Sequence, residues 1–296
     1  MPPSARPRVH LTIPVPAEIA RTLEADFELV PTASGAHGVV ATPAVTIDAA
    51  YLDAAGPSLR IVANDAVGTD NVDLDAARAH GIVVTNTPDV LTNASAEIAI
   101  GLMLALLRRI AEGDRLIRRR ERWQFTPDFM LGESLEGKEL LVVGPGRIGR
   151  RVAELAETFG ARPTFAGRND DLRTKLASAD VVSLHTPHTP QTHHLIDAVA
   201  LEAMKPTAVL VNTARGKIVD EQALVAALQS GSIVGAALDV FEFEPEVSEE
   251  LLAFDNVVFT PHIASATRDT RRAMLDLCIN ALRVVLLEER TPANTV

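Results

Sequence analysis

Four apolar residues, Leu140-Leu141-Val142-Val143, run without a break into Gly144-Pro145-Gly146-Arg147-Ile148-Gly149, and a helix-patterned stretch follows at once. No other feature narrows the fold as far. A buried strand that turns on glycine into a helix is the opening of a βαβ unit. Gly144 permits the tight turn, Gly146 lets the backbone approach a pyrophosphate, and Gly149 allows helix and strand to pack closely. The helix N-terminus, with Arg147 and Ile148 in its first turn, aims amides at the anion.

The same rhythm fills the second half. β-Rich runs at Leu140–Val143, Pro163–Ala166, Val181–Leu184, Ala208–Val211, Gly235–Leu238 and Val257–Phe259 alternate with helical segments such as Arg150–Phe159 and Glu221–Gln229. This predicts an α/β chain with a Rossmann-type, doubly wound parallel-sheet domain. A smaller α/β lobe is predicted before it, from the runs Val9–Ile13, Gly38–Ala41, Arg60–Ala63 and Ile82–Val84. Between them Ala94–Ile110, capped by Thr92 or Asn93, is nearly all apolar and predicts a helix buried all round, between lobes or against a second subunit. Ala266–Glu289 reads as a long helical return to the first lobe. The expected boundaries are therefore residues 1–93 with 266–296 for the smaller domain and 94–265 for the dinucleotide-binding domain.

Composition sets limits on partners. With 47% hydrophobic residues over 296 positions, a sizeable core can be buried. A net charge of −11 disfavours nucleic-acid backbones and anionic membranes, and Arg118-Arg119-Arg120-Glu121-Arg122 reads as a solvated helix face. Cys278 is the single cysteine, which excludes an internal disulfide and fits a reducing compartment. The longest apolar run, Ile98–Leu107, is about half a bilayer span, and Met1–Arg8 lacks the apolar core of a signal peptide. A cytoplasmic protein is expected.

A strand that binds NAD ends on an acid, which accepts from the ribose 2′-hydroxyl. Here Phe165-Ala166 is followed by Gly167 and Arg168. A guanidinium there can grip a 2′-phosphate with two charge-assisted hydrogen bonds. NADP(H) is the expected cofactor, with NAD(H) possible, since Asp170 and Asp171 stand near enough to reach a ribose.

Three ionisable residues follow later strands: Arg215 in Asn212-Thr213-Ala214-Arg215-Gly216, Glu244 in Asp239-Val240-Phe241-Glu242-Phe243-Glu244-Pro245, and His262 in Thr260-Pro261-His262-Ile263-Ala264. The carboxyl edge of such a sheet is where ligands bind. A permanent cation can hold a carboxylate and polarise a carbonyl. An imidazole can deliver a proton and take it back near neutral pH, and a carboxylate beside it would hold the ring and favour its charged form.

These segments, with Val67-Gly68-Thr69-Asp70-Asn71-Val72-Asp73, Asn86-Thr87-Pro88, His185-Thr186-Pro187 and Pro261-His262-Ile263-Ala264-Ser265-Ala266-Thr267, resemble the D-isomer-specific 2-hydroxyacid dehydrogenases over nearly the whole chain. The resemblance implies reduction of a 2-oxo acid to the D-2-hydroxy acid by hydride transfer, with Arg215, Glu244 and His262 catalytic. It implies that the Val67 and Gly68 amides bind substrate carboxylate together with Arg215 and His262. Asp239 would meet the nicotinamide carboxamide, Thr213, Ala214 and Ala264 would lie by the nicotinamide, and His185, Thr186, Pro187 and Thr192 would border the adenosine. Two lobes and a homodimer through the helix after Asn93 are also implied. Gly167-Arg168 and Thr87-Pro88-Asp89-Val90-Leu91-Thr92 are similar to the NADPH-preferring glyoxylate and hydroxypyruvate reductases.

Some positions depart from the family pattern. Ala264 replaces a glycine, Pro145 removes one amide from the phosphate loop, and the stretches 168–180 and 30–39 are short. Alternatives within the family are NAD-linked oxidation of phosphite, formate or 3-phosphoglycerate. A non-enzymatic, dinucleotide-sensing corepressor is the alternative from another class. His185, His188, His193 and His194 lie close in sequence but without cysteine or acidic companions, so no metal is expected. His10, His37 and His80 read as surface or capping residues, Cys278 as a buried hydrophobe, and Trp123, Phe125 and Phe129 as packing groups.

Overall fold

The computed structural model describes residues 6–296. The chain divides into two units, one running up to Leu91 and joined by Thr267–Val296, the other Thr92–Ala266.

The first unit begins β1 (Arg8–Leu11), α1 (Ala17–Asp26), β2 (Glu28–Val30), β3 (Gly38–Ala41), α2 (Ala49–Ala55), β4 (Ile61–Asn64), α3 (Leu74–Ala79) and β5 (Val83–Thr85). Its strands form one parallel sheet in the order β2-β1-β3-β4-β5. The period of two along each strand sends alternate residues to opposite faces. On β4, Ile61 and Ala63 join Ile19 and Leu23 of α1, while Val62 joins Leu52 of α2 and Ala77 of α3. Sequence patterning predicts four strands here. The fifth, β2, has only three residues at the sheet edge, too few to display alternation.

The second unit contains α4 (Thr92–Leu107), α5 (Ile110–Arg118), β6 (Glu139–Val143), α6 (Arg147–Thr158), β7 (Arg162–Ala166), α7 (Leu172–Ser178), β8 (Val181–Leu184), α8 (Ala198–Glu202), β9 (Val209–Asn212), α9 (Glu221–Ser230), β10 (Gly235–Leu238), α10 (Glu249–Leu252) and β11 (Val257–Phe259). All six strands are parallel, in the order β11-β10-β9-β8-β6-β7. Both faces are covered, which explains the unbroken apolar runs. Leu141 and Val143 pack with residues of α7 to α9, and Leu140 and Val142 with α4 and α6. Several helices start on an aspartate whose side chain accepts from an amide three residues on: Asp171 from Thr174, Asp197 from Ala200 and Asp220 from Ala223.

The expected end of α4 changes. The helix stops at Leu107 rather than running to Ile110, because Arg109 adopts a left-handed conformation with φ +54° and α5 starts afresh. Within this chain one face is left open, since Asn93, Glu97 and Gly101, four residues apart, are exposed. Asn93 lies inside the first turn, where it donates to Glu97 Oε1 at 2.6 Å and accepts from Arg151 at 3.0 Å.

The chain then returns through α11 (Arg268–Leu286) to the first unit. Cys278, Leu282 and Leu286 enter the same core as Ile61 and Val9. The fit is close enough that a Cβ added at Gly38 would lie 2.6 Å from Leu282 Cδ2. No helix among the described residues is long and apolar enough to cross a membrane.

Candidate active site

In the second unit the chain leaves β6, passes outward to β7, and recrosses to β8 on the other side of β6. Doubly wound sheets bind ligands at such a reversal. Gly144, at φ +98°, donates its amide to Ala166 O at 2.9 Å, and an added Cβ would stand 2.7 Å from the His185 carbonyl and the Thr186 nitrogen. Glycine alone lets the loops after β6 and β8 meet this closely. A Cβ at Gly149 would collide with Gly144 O at 2.3 Å. At Gly146, which precedes α6, nothing lies within 4 Å of an added Cβ. That open space, fronting the first turn with Arg147 and Ile148, fits a dinucleotide pyrophosphate.

The residues expected on the adenosine side are placed by local turns. Burial pushes His185 down to about 4, so its ring is neutral where it meets Ser183 Oγ at 2.8 Å. Thr192 Oγ1 donates to Pro187 O at 2.7 Å and accepts from Thr189 N–H, which pins the turn after Thr186. Arg168 is exposed, and its guanidinium makes no hydrogen bond or ion pair among the described residues.

The ends of β9, β10 and β11 hold the remaining groups. Asn212, wholly buried, donates to Arg215 O at 2.9 Å and accepts from Ala214 N–H at 3.0 Å, setting the Arg215 turn. An Arg215 Nη donates to Ala214 O at 2.7 Å. A Cβ at Gly216 would fall 1.8 Å from the Phe241 carbonyl, so the Arg215 turn lies directly on the Phe241–Glu244 loop. Thr213 Oγ1 is buried and has no hydrogen-bond partner, an orphaned polar atom at the strand edge that a nicotinamide amide would satisfy.

His262 sits at φ +53°, a strained position for a side chain with a Cβ. What holds it there is Asp239, fully buried: Oδ1 accepts from Thr260 Oγ1 and Ile263 N–H at 2.5 and 2.9 Å, Oδ2 from Ala264 N–H at 2.9 Å. The His262 amide donates to Asp239 O at 2.7 Å. The side chain of Asp239 is thus engaged with the histidine turn, a supporting part that residue type alone does not disclose.

His262 Nδ1 lies 2.8 Å from Glu244 Oε2, and Glu244 Oε1 accepts from Phe241 N–H at 2.9 Å. Burial works against the Glu244 charge, but these two hydrogen bonds and the charges of His262 and Arg215 outweigh it and hold the carboxyl below its ordinary value. An ionised carboxylate only accepts, so Nδ1 carries hydrogen and Nε2 is the nitrogen left to exchange a proton.

Glu242 and Glu221 were not singled out from sequence. Each accepts the other's amide, at 3.2 and 3.1 Å, and Glu242 also takes His194 Nε2 at 2.7 Å. The loop carrying Glu244 is therefore tied to the start of α9 and to the turn after Thr192. His193 stacks on His194 with centroids 4.0 Å apart. Among the described residues no set of His, Cys, Asp and Glu side chains is arranged for a metal ion.

In the first unit, Val67 and Gly68 follow β4. Their carbonyls are spoken for, Val67 O by Asn86 and Gly68 O by Asn64, each at 2.9 Å. Asn71 braces the turn through Thr42 O, Val45 O and Asn64 Oδ1. The Val67 and Gly68 amides donate to nothing among the described residues.

Residues 100–264 match the family model described as D-isomer specific 2-hydroxyacid dehydrogenase, NAD binding domain. The chain is 41% identical to a glyoxylate reductase of Pyrococcus furiosus, over 92% of this chain and 90% of that protein. Among solved structures it is similar to a protein from Thermus thermophilus, with 42% identity and a TM-score of 0.90 over 98% of this chain and 99% of that one. It is also similar to an NADPH-dependent glyoxylate/hydroxypyruvate reductase of Sinorhizobium meliloti, solved with NADP and malonate. There the identity is 36% and the TM-score 0.87, over 99% and 97% of the two chains.

Proposed function

Because the chain belongs to the D-isomer-specific 2-hydroxyacid dehydrogenases, we propose that it reduces a small 2-oxo acid of the glyoxylate or hydroxypyruvate type to the D-2-hydroxy acid, with NADP(H) preferred over NAD(H). It is an NAD(P)-dependent oxidoreductase. When bound, the nicotinamide supplies the hydride that reaches the 2-oxo carbon.

The observation that carries the proposal is the His262–Glu244 pair held beside Arg215. His262 Nε2 delivers a proton to the carbonyl oxygen as it becomes an alkoxide, and Glu244 keeps the ring oriented through Nδ1. Arg215 stabilises negative charge on the oxygen and on the carboxylate beside it. In the first unit, the Val67 and Gly68 amides suit an anion, so a carboxylate is the group assigned to them. The open space at Gly146 receives pyrophosphate, with Gly144, Arg147, Ile148 and Gly149 around it, and Arg168 takes the 2′-phosphate. His185, Thr186, Pro187 and Thr192 flank the adenosine, and Thr213, Ala214, Asp239 and Ala264 the nicotinamide. The homodimer expected through α4 belongs to the same proposal, and its exposed Asn93–Glu97–Gly101 face supports it.

The test is to mix the protein with NADPH or NADH and a panel of 2-oxo acids and follow the loss of reduced nicotinamide absorbance. Glyoxylate and hydroxypyruvate are expected to turn over, and turnover of no acid would overturn the reading. His262→Ala is expected to lower kcat by about 100-fold or more while NADPH still binds.

A further inference from the structure

Gly167 follows β7 without the carboxylate that an NAD-binding strand carries, yet a carboxylate stands there. Asp170 turns back so that Oδ2 accepts the Gly167 amide at 2.7 Å. A Cβ built on Gly167 would lie 3.6 Å from that oxygen and 3.9 Å from Pro145 Cγ, so the space left by the missing side chain is bordered by Asp170 on one side and the phosphate loop on the other. Asp171 is not its equal. Both of its oxygens serve the start of α7, through the Thr174 amide and hydroxyl. Lys175 Nζ waits 3.7 Å from Asp170 Oδ1.

We propose that Asp170 sets the cofactor ratio of this enzyme by standing in for the absent strand-end acid. The proposal rests on the reading of Gly167 and Arg168 as the ribose end of the dinucleotide site. With NADH, the ribose hydroxyls donate to the Asp170 carboxylate at the Gly167 amide. With NADPH, the 2′-phosphate takes Arg168, and Asp170 must give up the amide and retire onto Lys175. A carboxylate and a phosphate cannot share so small a space without mutual repulsion. Asp170 therefore supports one cofactor and opposes the other, and Arg168 acts against it.

The two residues make separable predictions for binding, read by dissociation constants from nicotinamide fluorescence or calorimetry with NADPH and NADH alone. Asp170→Asn keeps an oxygen for the Gly167 amide and removes the charge. It is expected to tighten NADPH about tenfold and to weaken NADH several-fold. Asp170→Ala is expected to move the ratio the same way. Unchanged constants, or equal changes for both cofactors, would overturn the assignment. Arg168→Ala is expected to weaken NADPH far more than NADH. Should that variant bind both cofactors as before while Asp170→Asn still shifts the ratio, the Arg168 reading fails and the Asp170 assignment stands.

Discussion

Asp65 follows β4 with its side chain buried and Oδ1 lacking any hydrogen-bond partner. Burial pushes its pKa from 3.8 up to about 6, against the opposing charge of Arg271. An acid whose folded value lies above its unfolded one holds its proton more tightly when folded. Its contribution is fully present below the unfolded value and disappears as pH rises through the folded one. Asp65→Asn is therefore expected to raise the unfolding free energy above about pH 7 by an amount on the order of 2–3 kcal/mol, seen as a higher Tm there. The two melting curves should converge below pH 3.8. A constant offset across pH would show that charge is not what burial penalises at Asp65. Glu244 has the opposite sign: its lowered value keeps it ionised through the neutral range, with stability lost only in acid below 4.5. Nothing in the sequence separates Asp65 from Asp70 or Asp73 nearby, since its burial depends on a helix that the chain makes two hundred residues later. Arg215, Glu244 and His262 stand out as candidates in the sequence because three ionisable residues follow strands of one sheet, and the structure brings Glu244 and His262 into contact. The sequence does not disclose Asp239 as the anchor of His262, a part set by two backbone amides and a hydroxyl folded around it.

Elements meet here through glycines of two kinds. Gly216 is occupied space: its α-hydrogen faces the Phe241 carbonyl, and any side chain must push the Arg215 turn off the Glu244 loop. Gly146 is open space and faces no protein atom within 4 Å. Gly216→Ala is thus expected to lower stability by about 2 kcal/mol or more and to lower kcat. Gly146→Ala is expected to keep the wild-type Tm but to weaken dinucleotide binding, since its methyl competes only with a ligand. Equal thermal losses in both variants would contradict the distinction. The second sheet was readable strand by strand because burial on both faces makes continuous apolar runs, and the brevity of α7 followed from the short spacing after Arg168. The three residues of β2 and the left-handed Arg109 were not readable. One is shorter than any period, and the other is a backbone state that arginine does not favour.

At the scale of the molecule, each sheet takes its strands from one stretch of the chain, but the first unit takes a covering helix from the far end of the sequence. The first unit is closed by α11, whose Cys278 lies in the core with Val9 and Ile61. Burial raises that thiol well above its ordinary value, so in the native state it is both hidden and protonated. Modification by a thiol reagent is expected to proceed no faster than the first unit opens, and a dinucleotide that binds the second unit should slow it only if the two open together. Immediate labelling of native protein would contradict this packing. The placement of α11 also bears on how the chain is made. Residues 92–266 hold every strand of their sheet in one stretch and can fold as they leave the ribosome, whereas the residues before them must wait, unpaired with their covering helix, until the chain has passed Thr267. The part synthesised first is finished last.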